Sequence, residues 1–395
     1  MNTAYRVRIY PNTSQQTLID KTIGCCRFIY NKMLAERIAF YESNKNNKTV
    51  LYNHKYKTEK EYKNEYQWLK EVDSVALQQA NRNLYSAYHN FFNGISNYPR
   101  FHKKHDTNSY RTISPAIKID CDKQKICLPK LGWVKYKDGR ENVNGKIINA
   151  TVTRTYSGKY YCSIIMEIES IESTNKPIAK VMGLDMSLSK FYVDQNGNSP
   201  DGFERFYRNE EKKLAHYQRI ASRRKHGSNN RAKANHKVAI LNERIANKRK
   251  DFQDKLSKKL VTENDMIVIE DLNIRGMASG LHLGKSVNDL AWSRFVYKLK
   301  YKGNSSGCKI ILADRFFPSS KTCSNCGYKS NILKLSDREW TCPICGKHLD
   351  RDTNAAINLV NYGLGAVSPE VTPVETTVHE AESRKQEYIL ETNSI

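Results

Sequence analysis

Residues 323–359 read "CSNCGYKSNILKLSDREWTCPICGKHLDRDTNAAINL" and combine two chemical patterns in one short segment. The first is a pair of CxxC motifs, in which Cys323 and Cys326 are separated by fifteen residues from Cys342 and Cys345. This is the spacing of a four-thiolate zinc ribbon. Tetrahedral zinc, at about 2.3 Å from each sulfur, would join the two cysteine turns. Because four thiolates leave no open coordination position, the sequence predicts structural rather than catalytic zinc.

Glycine follows the second cysteine of each pair, at Gly327 and Gly346. A positive φ is easiest there without a Cβ, so we expect both turns to use that conformation. In a reducing compartment, the other cysteines are expected to be buried or incidental thiols rather than a disulfide framework. They are Cys25, Cys26, Cys121, Cys127, Cys162 and Cys308.

The second pattern is an acidic residue, Asp352, at the start of the helical sequence "DTNAAINLV", where a carboxylate would also cap the helix. Asp185 and Glu270 similarly end two apolar, strand-like runs. Acids often end such elements, and any one of them alone has that ordinary explanation. Together, the three carboxylates could converge from two strands and a helix, and would repel one another unless Mg²⁺ or Mn²⁺ neutralised them. Two such ions support phosphodiester cleavage, which is the chemistry of an RNase H-like nuclease.

Composition indicates a nucleic-acid partner. The 395 residues carry a formal net charge of +24, from 65 Lys and Arg against 41 Asp and Glu, and Tyr is twice as frequent as Phe. Cations bind phosphates and aromatic rings stack on bases. A Lys-rich and Asn-rich composition without any partner is the alternative, but it would not explain the shortage of acids. The length is sufficient for two or three domains.

The amino terminus lacks an apolar signal region, and no stretch approaches the roughly 18 apolar residues that a membrane span needs. We therefore expect a cytoplasmic, nucleoid-associated protein without a membrane partner.

Alternation over residues 4–10 predicts a strand, and Thr13 with Gln16 resembles a capping box before a helix that extends to about residue 42. Residues 43–66 are typical of a loop or weak helix, and residues 73–94 have helical spacing. Strand-like runs follow, with a turn at Ser157 and Gly158, and then "ESTNKPIAK" reads as a linker.

Four segments resemble one protein family. "GLDMSLSKF", "IVIEDLNIRGM", "ADRFFPSSKTCSNCG" and "DRDTNAAINL" closely resemble the RuvC-like nuclease domain of TnpB proteins. These are RNA-guided DNA endonucleases of bacterial insertion sequences, related to type V CRISPR effectors. The opening segment and the basic region "QRIASRRKHGSNNRAKANHKVAILNERIANKRKDFQDKLS" are also similar, so the likeness extends to about residue 365.

The resemblance implies that Asp185, Glu270 and Asp352 are the three catalytic acids. Asp350 falls in the third motif, but the second Asp of "DRD" matches the metal ligand. Asp271 follows the second acid and would point to the opposite face of a continuing strand. In this family the zinc ribbon is inserted just before the third acid and is taken to help hold the target strand, so zinc loss should disturb catalysis indirectly.

Residues 204–260 predict a helical hairpin, broken at Gly227-Ser228-Asn229-Asn230, with an apolar packing stripe. A solvated basic face is the ordinary interpretation of its polar surface, but few acids lie nearby and phosphate binding is favoured. The resemblance implies contacts with guide RNA or its heteroduplex with DNA. The cations are Arg219, Arg223, Arg224, Lys225, Arg231, Lys233, Lys237, Arg244, Lys248, Arg249 and Lys250.

For the amino-terminal half, the resemblance implies a wedge β-barrel built from the first strand and residues 112–168. A helical recognition lobe at about 12–104 would interrupt it and read a short target-adjacent motif in duplex DNA. The amides of Gln78, Gln79 and Asn81 could contact base edges, although polar helix positions usually face solvent.

The expected fold is therefore α/β and multidomain. Residues 1–172 form the wedge barrel with its recognition insertion, and residues 173–365 form the RNase H-like (RuvC) nuclease domain. The helical hairpin at 204–260 and the zinc ribbon at 318–348 are inserted in it. Residues 366–395 are acidic and rich in Pro, Thr and Val, and are predicted to be a disordered tail.

The functional prediction is an RNA-guided, divalent-metal-dependent DNA endonuclease of a mobile element. Its predicted partners are a guide RNA from that element, a double-stranded DNA target with an adjacent motif, and a transposase encoded nearby. An RNase H-fold strand transferase could use the same acids. A tyrosine transposase is disfavoured, because it needs a His-hydrophobe-His pair and the ten histidines include no His-x-His. A non-catalytic zinc-ribbon DNA-binding protein would lack an acid, and none is missing.

Overall fold

The structure is a computed structural model, and it describes residues 2–105, 108–113, 115–137, 145–168, 177–280, 283–334 and 336–367. The chain divides into two compact units. The first comprises Met1–Ile171 and Tyr217–Glu243, and the second comprises Glu172–His216 and Arg244–Ile395. In the described part of the chain, no helix is both long enough and apolar enough to cross a membrane.

An antiparallel sheet of seven strands organises the first unit. Val7 and Ile9 of its first strand are buried while Arg6 and Arg8 are exposed, which confirms the strand that alternation predicts. The strands are β1 (Asn2–Tyr10), β2 (Ser109–Ile113), β3 (Lys118–Asp120), β4 (Lys125–Leu128), β5 (Gly132–Lys137), β6 (Lys146–Arg154) and β7 (Tyr160–Glu167). Their order in the sheet is β2-β6-β7-β1-β5-β4-β3. The first strand thus lies between β7 and β5 in the sheet, and the wedge role assigned to this region stays a prediction.

Four α-helices of the first unit lie between β1 and β2. They are α1 (Thr13–Asn44), α2 (Lys48–Asn53), α3 (Glu59–Glu65) and α4 (Ser74–Phe92), with a 3₁₀ helix at Gln67–Glu71. The capping box of α1 is shifted by one residue from the predicted one. Asn12 is the N-cap, its side chain accepts from the Gln15 backbone, and the Gln15 side chain accepts from the Asn12 backbone. Asn12 rather than Thr13 is the N-cap, because its short amide side chain reaches the backbone N–H of Gln15 in the first turn.

A four-stranded sheet organises the second unit. Its strands are β8 (Val181–Asp185), β9 (Val193–Asp194), β10 (Met266–Glu270) and β11 (Lys309–Ala313). The order is β11-β10-β8-β9. β10 is parallel to both of its neighbours, β8 and β11, and β9 is antiparallel to β8. Phe191 has a φ of 75°, and β9 begins only at Val193.

Two long helices, α5 (Phe206–Arg223) and α6 (Asn229–Glu263), form the expected basic pair. The predicted break at residues 227–230 is two residues too long, because Asn229 and Asn230 already belong to α6. The middle of the pair, Tyr217–Glu243, groups with the first unit. There, Glu243 accepts a hydrogen bond from the Tyr161 hydroxyl of β7 at 3.2 Å.

The remaining elements complete the second unit. They are α7 (Ile274–Gly280), α8 (Gly284–Leu290), α9 (Trp292–Ser306), the paired strands β12 (Glu339–Thr341) and β13 (His348–Asp350), and α10 (Arg351–Val367). The helix α10 is longer than predicted, so residues 366 and 367 are helical rather than part of a tail. Residues 368–395 of the predicted tail, and 172–176 of the predicted linker, lie outside the described residues.

Candidate active site

Asp185 and Glu270 are the last residues of two neighbouring parallel strands. The register of β8 and β10 pairs Leu184 with Ile269, so the next residue on each strand is one of the two acids. Parallel strands present their carboxyl ends at one edge of a sheet, which is where α/β proteins bind ligands. The two predicted acids therefore lie side by side at that edge.

Alternation along the strands decides which face of the sheet the two acids share. In β10, Ile267 and Ile269 belong to the core formed with Trp292, Phe295 and Leu299 of α9. Met266 and Val268 belong instead to a smaller core with Leu359 of α10. Because strand side chains alternate between faces, Glu270 belongs to the α10 face.

The same reasoning places Asp185 on the α10 face. Gly183, two residues earlier on β8, lies so close to α10 that an added Cβ would be 2.1 Å from the carbonyl oxygen of Ala356. Only glycine permits this approach. Farther along α10, Gly363 lies against Met266 and Val268.

These contacts also give the direction of α10, which runs from the carboxyl ends of the strands toward their amino ends. Asp352 is one turn before Ala356, and that turn lies toward the edge occupied by Asp185. All three predicted acids are thus brought to one end of the same face. The carboxylate of Asp350 accepts from the backbone N–H of Thr353 at 2.8 Å and caps α10. The expectation that Asp352 caps the helix is therefore wrong by two residues. The charge of Asp350 also raises the pKa of Asp185, and its exclusion from the metal-binding set stays a prediction.

The electrostatics of this edge show that the acids act on one another. Burial raises the pKa of Asp185 well above its ordinary value, and the negative charges of Glu270 and Asp352 raise it further. Burial also raises the pKa of Glu270, against a lowering effect of the Ser319 hydroxyl that donates to it. Each ionised carboxylate thus makes the next one harder to ionise. A divalent cation with oxygen ligands would remove that penalty, so the donor set fits Mg²⁺ or Mn²⁺.

Asp350 and Asp271 are the acids next to the predicted catalytic set in the sequence, and each interacts with another residue. For Asp350, burial would raise the pKa, but hydrogen bonds from Thr353 outweigh it and hold the pKa below its ordinary value. Asp271 forms an ion pair with Arg315, at 2.6 Å between the guanidinium and the carboxylate. Within the described part of the chain, the ion-pair contact of the Asp352 carboxylate is a long one, 3.7 Å, to the exposed Arg338. An ion pair of that length with an exposed arginine contributes little.

The four cysteines of the CxxC motifs form a compact cluster. Within the described residues, they are the group of metal-type ligands whose donor atoms all lie within 4.8 Å of one another. The three described carboxylates do not meet that limit. Gly327 and Gly346 have φ values of 77° and 68°, which confirms the predicted turns. Four thiols gathered this closely fit tetrahedral zinc.

The predicted nucleic-acid contacts differ in how accessible they are. Arg224, Lys233 and Lys237 line a hollow of about 240 Å³ between α5 and α6. Arg249 is partly buried and donates to the carbonyl oxygens of Asn288 and Asp289, so it fastens α8 to α6. Arg231 is partly buried as well. The predicted cations that are exposed are Arg219, Arg223, Arg224, Lys225, Lys233, Lys237, Arg244, Lys248 and Lys250.

The three amides of α4 also differ. Gln78 is exposed, but Gln79 is buried at 7% exposure. Asn81 is partly buried and donates to Glu59 at 3.1 Å. The assignment of these amides to base contacts stays a prediction, and the structure favours Gln78 among them.

Sequence reasoning missed three residues beside the acids: Ser319, Asn354 and Asn358. All three are polar and buried, with exposures of 3%, 1% and 5%. A signal for the asparagines was available, because they lie four residues apart on the apolar face of α10. Ser319 is 49 residues from the acid that it contacts and carries no local signal.

Three family models match separate parts of the chain: a helix-turn-helix domain over residues 1–46, a "Probable transposase" domain over 163–280, and a "Cas12f1-like, TNB domain" over 292–359. A protein of Streptomyces pristinaespiralis named "Putative RNA-guided DNA endonuclease" is 34% identical over 370 residues, covering 92% of this chain and 90% of its own. The chain belongs to the TnpB family. "Putative RNA-guided DNA endonuclease InsQ" of Escherichia coli is a further relative, 32% identical over 91% of this chain and 92% of its own.

The fold of this chain is similar to that of a solved Cas12f1 structure. A cryo-EM structure of a Cas12f1–sgRNA–target DNA complex aligns with a TM-score of 0.53, covering 91% of this chain and 99% of that one. The sequence identity is 12%, so this likeness concerns the fold alone. It agrees with the α/β architecture that the sequence predicts.

Proposed function

We propose that this TnpB-family protein is an RNA-guided, divalent-metal-dependent DNA endonuclease of a mobile element, with Asp185, Glu270 and Asp352 as its catalytic acids. The observation that carries the proposal is their convergence on the α10 face of one sheet edge, where the charges of Glu270 and Asp352 raise the pKa of Asp185. Repulsion between the carboxylates lowers the stability of the folded protein. The same group of negative charges can bind divalent cations.

The chain contributes rigid positioning of its carboxylates. Asp185 and Glu270 are placed by a parallel strand register, and Asp352 is placed by a helix packed against Gly183. When bound, two Mg²⁺ or Mn²⁺ ions would supply charge neutralisation and water activation for phosphodiester cleavage. The partial burial of the acids limits the water that competes for the same positions. In this proposal the four cysteines hold structural zinc, which fixes the segment that leads into α10.

The relatives and the charge distribution support the choice of substrate. Both relatives carry the name of an RNA-guided DNA endonuclease. The formal charge of +24 and the exposed cations of α5 and α6 match the phosphates of a guide RNA or of its heteroduplex with target DNA. Guide pairing would read most of the target, and the amino-terminal helices would read the adjacent motif. A transposase encoded nearby remains part of the proposal.

The test begins with purification of the full chain and sequencing of any RNA that accompanies it. The complex, reprogrammed with a chosen guide, should cut matching duplex DNA in the presence of Mg²⁺, and Asp185→Asn should not. An RNA-free protein that joins DNA ends would instead establish the strand transferase. A protein that binds DNA but neither cuts nor joins it would be the non-catalytic binder.

A further inference from the structure

A buried serine connects one of the proposed catalytic acids to α10. The hydroxyl of Ser319 donates to Oε1 of Glu270. The backbone carbonyl of Ser319 accepts from Nδ2 of Asn358 at 2.7 Å, in the interior of the second unit. Ser319 thus touches the acid with its side chain and the helix with its backbone. Neither bond is local, since 49 residues separate Ser319 from Glu270 and 39 separate it from Asn358.

Two asparagines of α10 fix the whole segment that carries Ser319. Asn358 also donates to the carbonyl of Thr322 at 2.6 Å, and Asn354 donates to the same carbonyl at 2.7 Å. The side-chain oxygen of Asn354 accepts from the backbone N–H of Ser324 at 2.9 Å. Buried polar groups are costly to leave unpaired, so this arrangement holds residues 319–324 firmly against α10. Asp352 lies on the same helix, two residues before Asn354 and six before Asn358.

A hydrogen-bond donor is needed to fix the orientation of the Glu270 side chain, more than for an ordinary surface glutamate. Its side chain has three rotatable bonds, and the charge of Asp185 on the next strand repels it. A bond to Oε1 selects one orientation and leaves Oε2 for another ligand. Outer-shell hydrogen bonds of this kind commonly orient metal-binding carboxylates.

We propose that Ser319 is a positioning residue for Glu270, and that Asn358 holds Ser319 in place, so that α10 sets the positions of two of the three acids. This inference rests on the proposed nuclease function. It assigns Ser319 no contact with substrate. Its effect is the pre-orientation of one carboxylate before a cation binds.

The test compares Ser319→Ala, Ser319→Cys and Ser319→Thr with Ser320→Ala in the full chain bound to its RNA. Threonine keeps the hydroxyl, whereas alanine removes it and cysteine replaces it with a poor donor. Ser320 is the matched control, because it is the adjacent serine and its hydroxyl contacts Arg351 at 3.4 Å rather than Glu270. Mn²⁺ binding is measured by titration calorimetry, with the Asp185→Asn protein as the background. The Mg²⁺ concentration for half-maximal cleavage and the melting temperature are measured in parallel.

We expect Ser319→Ala and Ser319→Cys to weaken Mn²⁺ binding by about 10- to 100-fold and to raise the half-maximal Mg²⁺ concentration similarly. Ser319→Thr should restore both to within a few fold, and Ser320→Ala should behave as wild type. Unchanged Mn²⁺ affinity in Ser319→Ala, with or without a lower melting temperature, would show that the serine only stabilises the fold. If the wild-type protein binds no Mn²⁺ above background and cuts no DNA, the nuclease proposal itself fails. These two failures are distinguishable.

Discussion

The cysteine cluster and the carboxylate edge are both candidate metal sites, but they are built in opposite ways. The four cysteines come from 23 consecutive residues, and their sulfurs all lie within 4.8 Å of one another. The three carboxylates come from a span of 168 residues, and they interact unfavourably. The first site is a local motif that zinc would complete. The second depends on a long-range sheet register and a packed helix, which hold it together against electrostatic repulsion.

This difference implies different roles for the two metals. A segment with little apolar core needs its metal in order to fold, because metal binding then supplies folding free energy. The core beside the cysteines consists of Cys323, Cys342 and Leu349, with Tyr328 and Trp340 against it. The carboxylate edge rests on two larger cores and should stay folded without a cation. We therefore expect loss of zinc to disrupt the local fold as well as activity, and loss of Mg²⁺ to abolish activity while the protein stays folded.

The largest expected effect comes from Asp185→Asn. Removing one ionised ligand should cost several kcal/mol of transition-state stabilisation, and so lower the cleavage rate by about three orders of magnitude or more. Because repulsion with Glu270 and Asp352 is also removed, the melting temperature in buffer free of Mg²⁺ and Mn²⁺ should be equal to that of wild type or higher. Gel-based cleavage and scanning calorimetry check the two effects.

Asp271→Asn is the matched control for this substitution, since Asp271 follows Glu270 directly and pairs with Arg315 on the exposed surface. It should cleave at nearly the wild-type rate. Equal loss of cleavage in both variants would mean that the end of β10 as a whole, rather than the α10 face, carries the chemistry.

The second largest loss of cleavage should come from substitution in the cysteine cluster. Cys342→Ser removes a buried ligand. Displacement of the segment that leads into α10 should then lower cleavage by about 10²-fold, because catalytic groups are sensitive to shifts of about 1 Å. Metal analysis should find one zinc in wild type and none in the variant, and protease should cut between residues 318 and 348.

Cys121→Ser supplies the control, as a cysteine outside the cluster. It should retain zinc and activity. If Cys342→Ser loses its zinc but cuts DNA at the wild-type rate, the cysteine cluster and the carboxylate edge are independent, and the comparison between them loses its functional meaning.

Features that depend on neighbouring residues could be predicted from the sequence, whereas features that depend on long-range packing could not. The zinc ligands, the glycine turns and the strand ends at Asp185 and Glu270 are readable because each depends on a few neighbouring residues. The capping box of α1 and the cap of α10 are wrong by one or two residues, since several nearby polar side chains compete for the same N–H groups. Ser319 could not be found, because its partner is set by the packing of α10 and not by spacing along the chain.

A smaller effect is expected at the basic helices. Arg224→Ala and Lys233→Ala each remove an exposed cation beside the hollow between α5 and α6. If both contact phosphates, each substitution should weaken RNA binding and reduce the slope of log affinity against log salt by about one. Filter binding over a salt series measures this slope.

Lys255→Ala is the control here, because this exposed lysine of α6 already pairs with Asp251 at 2.7 Å. Its salt slope should match that of wild type. Equal slopes in all three variants would show that the hollow is only a solvated basic face, which is the ordinary interpretation of such a surface.

The smallest expected effect is a pH dependence confined to the carboxylate edge. Burial and the neighbouring charges raise the pKa of Asp185, and burial raises that of Glu270. A folded-state pKa above the unfolded value, about 4, means that folding favours the protonated acid. The stabilising contribution is then complete below the unfolded pKa and is lost as the pH rises through the folded one.

In buffer free of Mg²⁺ and Mn²⁺, wild type should therefore gain more stability than Asp185→Asn as the pH falls from neutral toward that unfolded value. All other titrating groups are common to both proteins, so the difference between their calorimetric stability curves isolates this edge. Identical curves would show that the acids do not interact in solution. Addition of Mn²⁺ should reverse the trend in wild type, because protons compete with the cation for the same oxygens.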